Sequence, residues 1–152
     1  MVLNGIKSGK LNIYGGTLRA YGENDMPTEN FGNGIFDSGA ALQIESNQNY
    51  AGNIEINISG GKLISENAVA IYEYDSTNTA TKVTNFNITG GTFISNNYNS
   101  NISFSPNFNV AHTNFITGGI FNRNEDNVLE QYVAENYKVE EQNGNYVVVP
   151  EL

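Results

Sequence analysis

Apolar and polar residues alternate through NIEINISGGKL at Asn53–Leu63, where Ile54, Ile56 and Ile58 are separated by Glu55 and Asn57. A period of two is that of a strand with one buried face. Gly60 and Gly61 stop the alternation, and Leu63 resumes the apolar series. The phrase returns as TNFNITGGTF at Thr84–Phe93, as LNIYGGTL at Leu11–Leu18 and as NFITGGIF at Asn114–Phe121. Aligned on their glycines, Ile13, Ile58, Ile88 and Ile116 make one apolar column, and Leu18, Leu63, Phe93 and Phe121 make another. A third column of Leu11, Ile56 and Phe86 ends at Asn114. Either that amide points inward with partners, or the last copy slips and Phe115 takes the space. The intervening columns are polar, among them Asn12, Asn57 and Asn87, as befits a solvated face. Gly at both corner positions fits a tight turn that needs positive φ or has no room for a Cβ.

Further strand pieces follow each corner (Lys62–Ser65, Thr92–Ser95) and recur later, as AALQIES at Ala40–Ser46, AVAIYEY at Ala68–Tyr74 and NISF at Asn101–Phe104. Three short strands and three turns per 28–30 residues predict an all-β chain, a parallel β-helix (solenoid) of about four coils over residues 1–123. Gly15 to Gly60 spans 45 residues, an excess assigned to a loop inserted at 20–39. After Phe121 the period changes. Val128, Leu129, Tyr132 and Val133 have helical spacing, with Asn124, Asp126 or Asn127 available as N-cap. Tyr137–Glu141 and Asn145–Val149 flank Asn143-Gly144, a hairpin signal. Residues 124–152 are therefore expected to be a capping helix and hairpin that cover exposed strand edges.

Composition narrows the function classes. Only 15% of the 152 residues are charged, and much of the polar surface comes from 26 Asn. The net charge of −9 argues against nucleic acid or an anionic bilayer as partner. No Cys is present, which removes disulfides and thiolate metal sites, and no apolar run is long enough for a membrane helix. MVLNGIKSGK lacks the apolar core of a secretory signal, so either cytosolic assembly or a fragment with a start Met is expected.

Candidate chemistry is sparse. His112 is the sole His, and no nucleophile–base arrangement can be assembled around it. Glu23, Asp25, Glu29 and Asp37 could offer oxygens to Ca²⁺, but their spacing matches no loop motif, so no metal, cofactor or catalytic residue is assigned. Glu55 has no carboxylate above or below it in its column, and paired carboxylates are what glycan cleavage requires. Tyr50, Tyr72, Tyr74 and Tyr98 are the candidate surface-binding residues, because tyrosine gives contact area while tolerating water. The alternative for these four is a place at the edge of the core. Asn57-Ile-Ser59, Asn87-Ile-Thr89 and Asn101-Ile-Ser103 match glycosylation acceptors but arise from the repeat.

The Gly-Gly phrases and the terminal YVAENYKVEEQNGNYVVVP resemble modules of right-handed, pectate-lyase-like β-helix proteins, found in surface proteins of gut bacteria and in phage structural proteins. The resemblance implies a right-handed parallel β-helix. It does not carry lyase activity over, because the strand face lacks an Asp cluster and a catalytic Arg or Lys. The function expected is a noncatalytic structural or decoration protein of a phage particle, located in the virion. Its partner would be a capsid or tail protein, with a homo-trimer as the assembly other viral β-helices suggest. The alternative is a carbohydrate-binding or adhesive module at a bacterial cell surface, with a glycan as partner.

Overall fold

The computed structural model describes residues 1–23, 38–77, 81–104 and 114–152. Strands β1 (Val2–Asn4), β4 (Leu42–Ser46), β7 (Ile71–Asp75) and β10 (Ile102–Ser103) form a four-stranded parallel sheet in that order. A three-stranded parallel sheet holds β2 (Gly9–Ile13), β5 (Ile54–Ile58) and β8 (Val83–Ile88). In the third sheet β3 (Thr17–Ala20), β6 (Lys62–Ser65), β9 (Thr92–Ser95) and β11 (Ile120–Phe121) run parallel. The hairpin of β12 (Tyr137–Gln142) and β13 (Asn145–Pro150) then joins β11 through β13, antiparallel.

This arrangement corrects the expectation of one right-handed parallel β-helix of about four coils. The strands make three separate sheets of unequal size, one of them mixed, rather than a single closed solenoid. The six-stranded sheet becomes mixed at the fourth phrase. Asn114 has a φ of 62°, Ile116 makes only isolated bridges to Ile88 and Val133, and β11 is two residues long. The chain then turns back as a hairpin, whose Asn143 and Gly144 both have positive φ, as a tight two-residue turn requires. The expected capping helix is corrected too. Glu125–Gln131 is a 3₁₀ segment, because Asp126 and Asn127 sit at φ 54° and 55°, values an α-helix cannot hold. Asn124 does not cap its first turn; its Oδ1 instead accepts the Leu129 N–H at 2.9 Å. Most of the inserted loop expected at 20–39 lies outside the described residues.

The apolar columns become pairing registers. Ile13, Ile58 and Ile88 align across the three-stranded sheet, and Leu18, Leu63, Phe93 and Phe121 align across the six-stranded one. With Leu42, Ile44 and Ile71 of the four-stranded sheet they contribute to one apolar cluster shared by all three sheets. Burying each such side chain is worth about 1.5–3 kcal/mol. Phe93 and Phe121 stack at 4.6 Å between ring centroids. Asn114 is exposed, while Phe115 is buried against Phe86 at 4.8 Å, so the last copy has slipped by one residue.

Neighbouring corners press together. A Cβ on Gly60 would lie 2.3 Å from the Tyr14 carbonyl oxygen, and one on Gly90 would lie 2.4 Å from that of Ser59. Gly61 and Gly91 take φ values of 82° and 97°. In these two corners the first glycine is thus required by close approach and the second by conformation.

Candidate functional site

Many of the described buried polar side chains of the sheets make structural bonds, although buried Gln43 Nε2 has no hydrogen-bond partner. Glu45 is buried on β4, where its Oε1 accepts the Tyr50 hydroxyl at 2.7 Å and its Oε2 accepts Asn4 Nδ2. Asp75 Oδ1 accepts both the backbone N–H and the hydroxyl of Thr77. Buried Asn101 donates to Ser95 Oγ and Asn122 Oδ1 and accepts the Arg123 N–H, and Arg123 Nε donates to the Ser95 carbonyl. The Glu45–Asn4 bond and the Asn101–Asn122–Arg123 network tie neighbouring turns together, the Asp75–Thr77 bonds are local, and burial seals Asn101 from any glycosylating enzyme. Asn57 and Asn87 form an amide ladder with Asn12, Asn57 Nδ2 donating to Asn12 Oδ1 and Asn87 Nδ2 to Asn57 Oδ1. Glu55 faces Lys10 at 3.6 Å, not a second carboxylate.

Glu23 is exposed, whereas Asp25, Glu29, Asp37 and His112 lie outside the described residues. Among the described residues no group of three or more acidic or His side chains is arranged to hold a metal ion.

The four candidate tyrosines fall into two places. Tyr72 and Tyr74 stack with centroids 6.3 Å apart on β7, and with Tyr98 they pack around Ala40 and Val69 in a small second cluster. Tyr72 is only 7% exposed, and Tyr74 and Tyr98 are half-buried, so the cluster lies at the edge of a core. Tyr50 is not part of that cluster. It lies near Gly5 and is held by Glu45. Burial, with the Glu45 hydrogen bond adding to it, pushes the Tyr50 hydroxyl up to about 12. Burial, reinforced by Tyr74 and Glu73, does the same for Tyr72.

The largest departure from a closed surface is at the N-terminal end. β1, β2 and β3 are each the edge strand of their sheet, so one end of the protein presents three strand edges at once. Exposed Met1, Val2, Ile6, Tyr14 and Tyr21 cluster in the same first 23 residues, with Leu3, Leu11 and Leu18 only partly buried. A shallow recess of about 440 Å³ opens there, lined by Met1, Leu11, Ile13, Tyr14 and Leu18 among others. The other edge strands of the three sheets are β8, β10 and β12, and there the chain after the last phrase packs onto it. Tyr132 accepts the Phe115 and Ile116 N–H groups, Ala134 N–H donates to the Ile116 carbonyl, and the rings of Phe104, Phe115 and Tyr132 pack within 6 Å.

Sequence periodicity anticipated an N-terminal strand but not this concentration of exposed apolar groups. The available signal was Tyr14, an aromatic side chain in the outward column that Ser59, Thr89 and Thr117 fill with small polar groups. Gln43 and Glu45 are buried although they occupy the polar phase of their strand, and nothing in a period of two marks them. No protein-family model, curated protein or solved structure matches the chain. No described helix is long and apolar enough to cross a membrane.

Proposed function

We propose that this protein is a noncatalytic structural or decoration component of a phage particle, associated with capsid or tail. The observation that carries the proposal is the set of exposed apolar side chains, Val2, Ile6, Tyr14 and Tyr21, on and beside the edge strands β1, β2 and β3. A strand edge of that kind is a template for another chain, and a free monomer would ordinarily blunt it. The bonds of Glu45 with Asn4, of Asn101 with Asn122 and of Asn57 with Asn12 and Asn87 also support a scaffold, since they join neighbouring turns.

The test is location. Density-purified particles from the source culture are probed by quantitative mass spectrometry, with a fixed copy number per particle as the expected result. Absence from particles, together with saturable binding of the purified protein to cell-surface glycan, would sink the proposal in favour of the adhesive module.

A further inference from the structure

Asn-Gly pairs occur three times in the chain, at Asn4-Gly5, Asn33-Gly34 and Asn143-Gly144. The second lies outside the described residues, and the other two sit in opposite settings. We infer that Asn143 is a self-modification site, which converts spontaneously to aspartate and isoaspartate in the folded protein, whereas Asn4 is held unreactive. The inference goes beyond the proposed function and does not depend on it.

The chemistry needs no reactant but water. The Gly144 main-chain nitrogen gives its proton to solvent base and attacks Asn143 Cγ. The new N–Cγ bond forms as the Cγ–Nδ2 bond breaks, and Nδ2 takes a proton from solvent and leaves as ammonia. The cyclic succinimide that remains is opened by water. Cleavage between the ring nitrogen and Cγ restores the ordinary main chain with an aspartate side chain. Cleavage between that nitrogen and the Asn143 carbonyl carbon gives isoaspartate, in which the main chain runs through Cβ and Cγ. Water enters, ammonia leaves, and nothing is oxidised or reduced.

The hairpin turn leaves this path open. Asn143 and Gly144 are both exposed, at φ 53° and 80°, and even a Cβ on Gly144 would meet nothing within 4 Å. Among the described residues, no hydrogen bond holds the Asn143 amide or the Gly144 N–H. Swinging the Gly144 nitrogen onto Cγ therefore disturbs only the last pair of the ladder, Gln142 with Asn145, and ladder ends open readily. Asn4 is the opposite case. Its Nδ2 donates to Glu45 Oε2, its Oδ1 accepts the Ile6 N–H at 2.8 Å, and the Gly5 N–H donates to the Glu45 carbonyl at 3.1 Å. Both the attacked amide and the attacking nitrogen are tied, and buried Gly5 lies against the Lys82 side chain. Releasing these bonds raises the barrier enough to slow Asn4 at least about tenfold relative to Asn143.

The two products differ in consequence. Asp-Gly suits the same two-residue turn, so the aspartate form keeps the hairpin. Isoaspartate adds a main-chain carbon to a turn whose length sets the register of β12 on β13. Ageing therefore divides the protein into a form with the native hairpin and a form with a loosened one.

The full chain is aged at physiological temperature in mildly alkaline buffer, folded and in urea, then digested at acid pH. Liquid chromatography with mass spectrometry separates the Asn, Asp and isoAsp forms of each peptide. The folded chain should lose Asn143 at least about tenfold faster than Asn4, and urea should bring the two rates together. Equal rates in the folded chain would overturn the inference, as would an Asn143 that reacts only in urea. An Asn4 that stays equally slow in urea would show that the fold is not what protects it. Asn143→Asp should unfold at the parent's temperature, and the purified isoaspartate form should unfold earlier. An isoaspartate form as stable as Asn143→Asp would overturn the assigned consequence.

Discussion

The Gly-Gly corner occurs at the open end as Gly15-Gly16 and in the interior as Gly60-Gly61 and Gly90-Gly91, and the two settings load it differently. The second glycine takes a positive φ in every case, 82° at Gly16 and Gly61 and 97° at Gly91. That requirement belongs to the phrase itself. The first glycine differs. A Cβ on Gly15 would meet nothing within 4 Å, whereas on Gly60 or Gly90 it would strike the backbone of the preceding corner. The same dipeptide is therefore conformational at the end and both conformational and steric within the stack. Motif identity alone does not give energetic weight; the neighbour that the motif packs on does.

Substituting the first glycine separates these settings with the largest expected effect. Gly90→Val has no space that does not involve displacing the Ser59 carbonyl, and it should cost more than about 4 kcal/mol or prevent folding. Gly15→Val should change stability by no more than about 1 kcal/mol. Urea unfolding of both variants checks the pair, and equal losses would show that the corner is limited by its own conformation.

A second pair compares the ends through their leucines. Leu129 is 1% exposed in the C-terminal segment, and Leu129→Ala should cost about 2–4 kcal/mol by leaving a cavity. Leu18, partly buried at the open end, should cost about 1 kcal/mol when changed to Ala in dilute protein. Urea unfolding of the two variants checks the pair, and a Leu18→Ala loss as large as that of Leu129→Ala would show that Leu18 is packed as tightly as the core.

Much of the strand plan could be read from residues. The columns of Ile13, Ile58 and Ile88 and of Leu18, Leu63 and Phe93 are in-register neighbours, since burial enforces a period of two. What could not be read was how the strands group. Periodicity reports which face of a strand is buried, but not whether successive sheets join into one closed wall. The 3₁₀ segment escaped for a different reason. Val128, Leu129, Tyr132 and Val133 keep helical spacing while Asp126 and Asn127, residue types that tolerate left-handed backbone, break the helix before them. The candidate tyrosines were legible only as a set of residues. Their division between a buried cluster and the Glu45 contact depends on packing from other strands.

Alkaline pH probes the four-stranded sheet apart from either end. Tyr50 and Tyr72 are held neutral to about 12 in the folded protein, chiefly by burial, against about 10 in an unfolded chain. The unfolded state therefore loses protons first. The stability these groups contribute is complete below about pH 10 and is lost as pH rises toward 12. Ultraviolet titration should find Tyr50 and Tyr72 still un-ionised at about pH 11 while the fold persists. Tyr72→Phe should remove part of that alkaline loss. A titration in which every tyrosine ionises together below pH 11 would mean that this sheet opens before the rest.

The smallest effect is the most direct reporter on the open end. Lys10 and Glu55 approach to 3.6 Å, but their side chains are 57% and 44% exposed, so solvent and salt screen the pair. Lys10→Ala should therefore cost about 0.5 kcal/mol or less in dilute protein, and added salt should erase the difference. A small loss that added salt abolishes would show that solvent screens the pair, whereas a loss above about 1 kcal/mol that salt leaves unchanged would show that it is shielded from water.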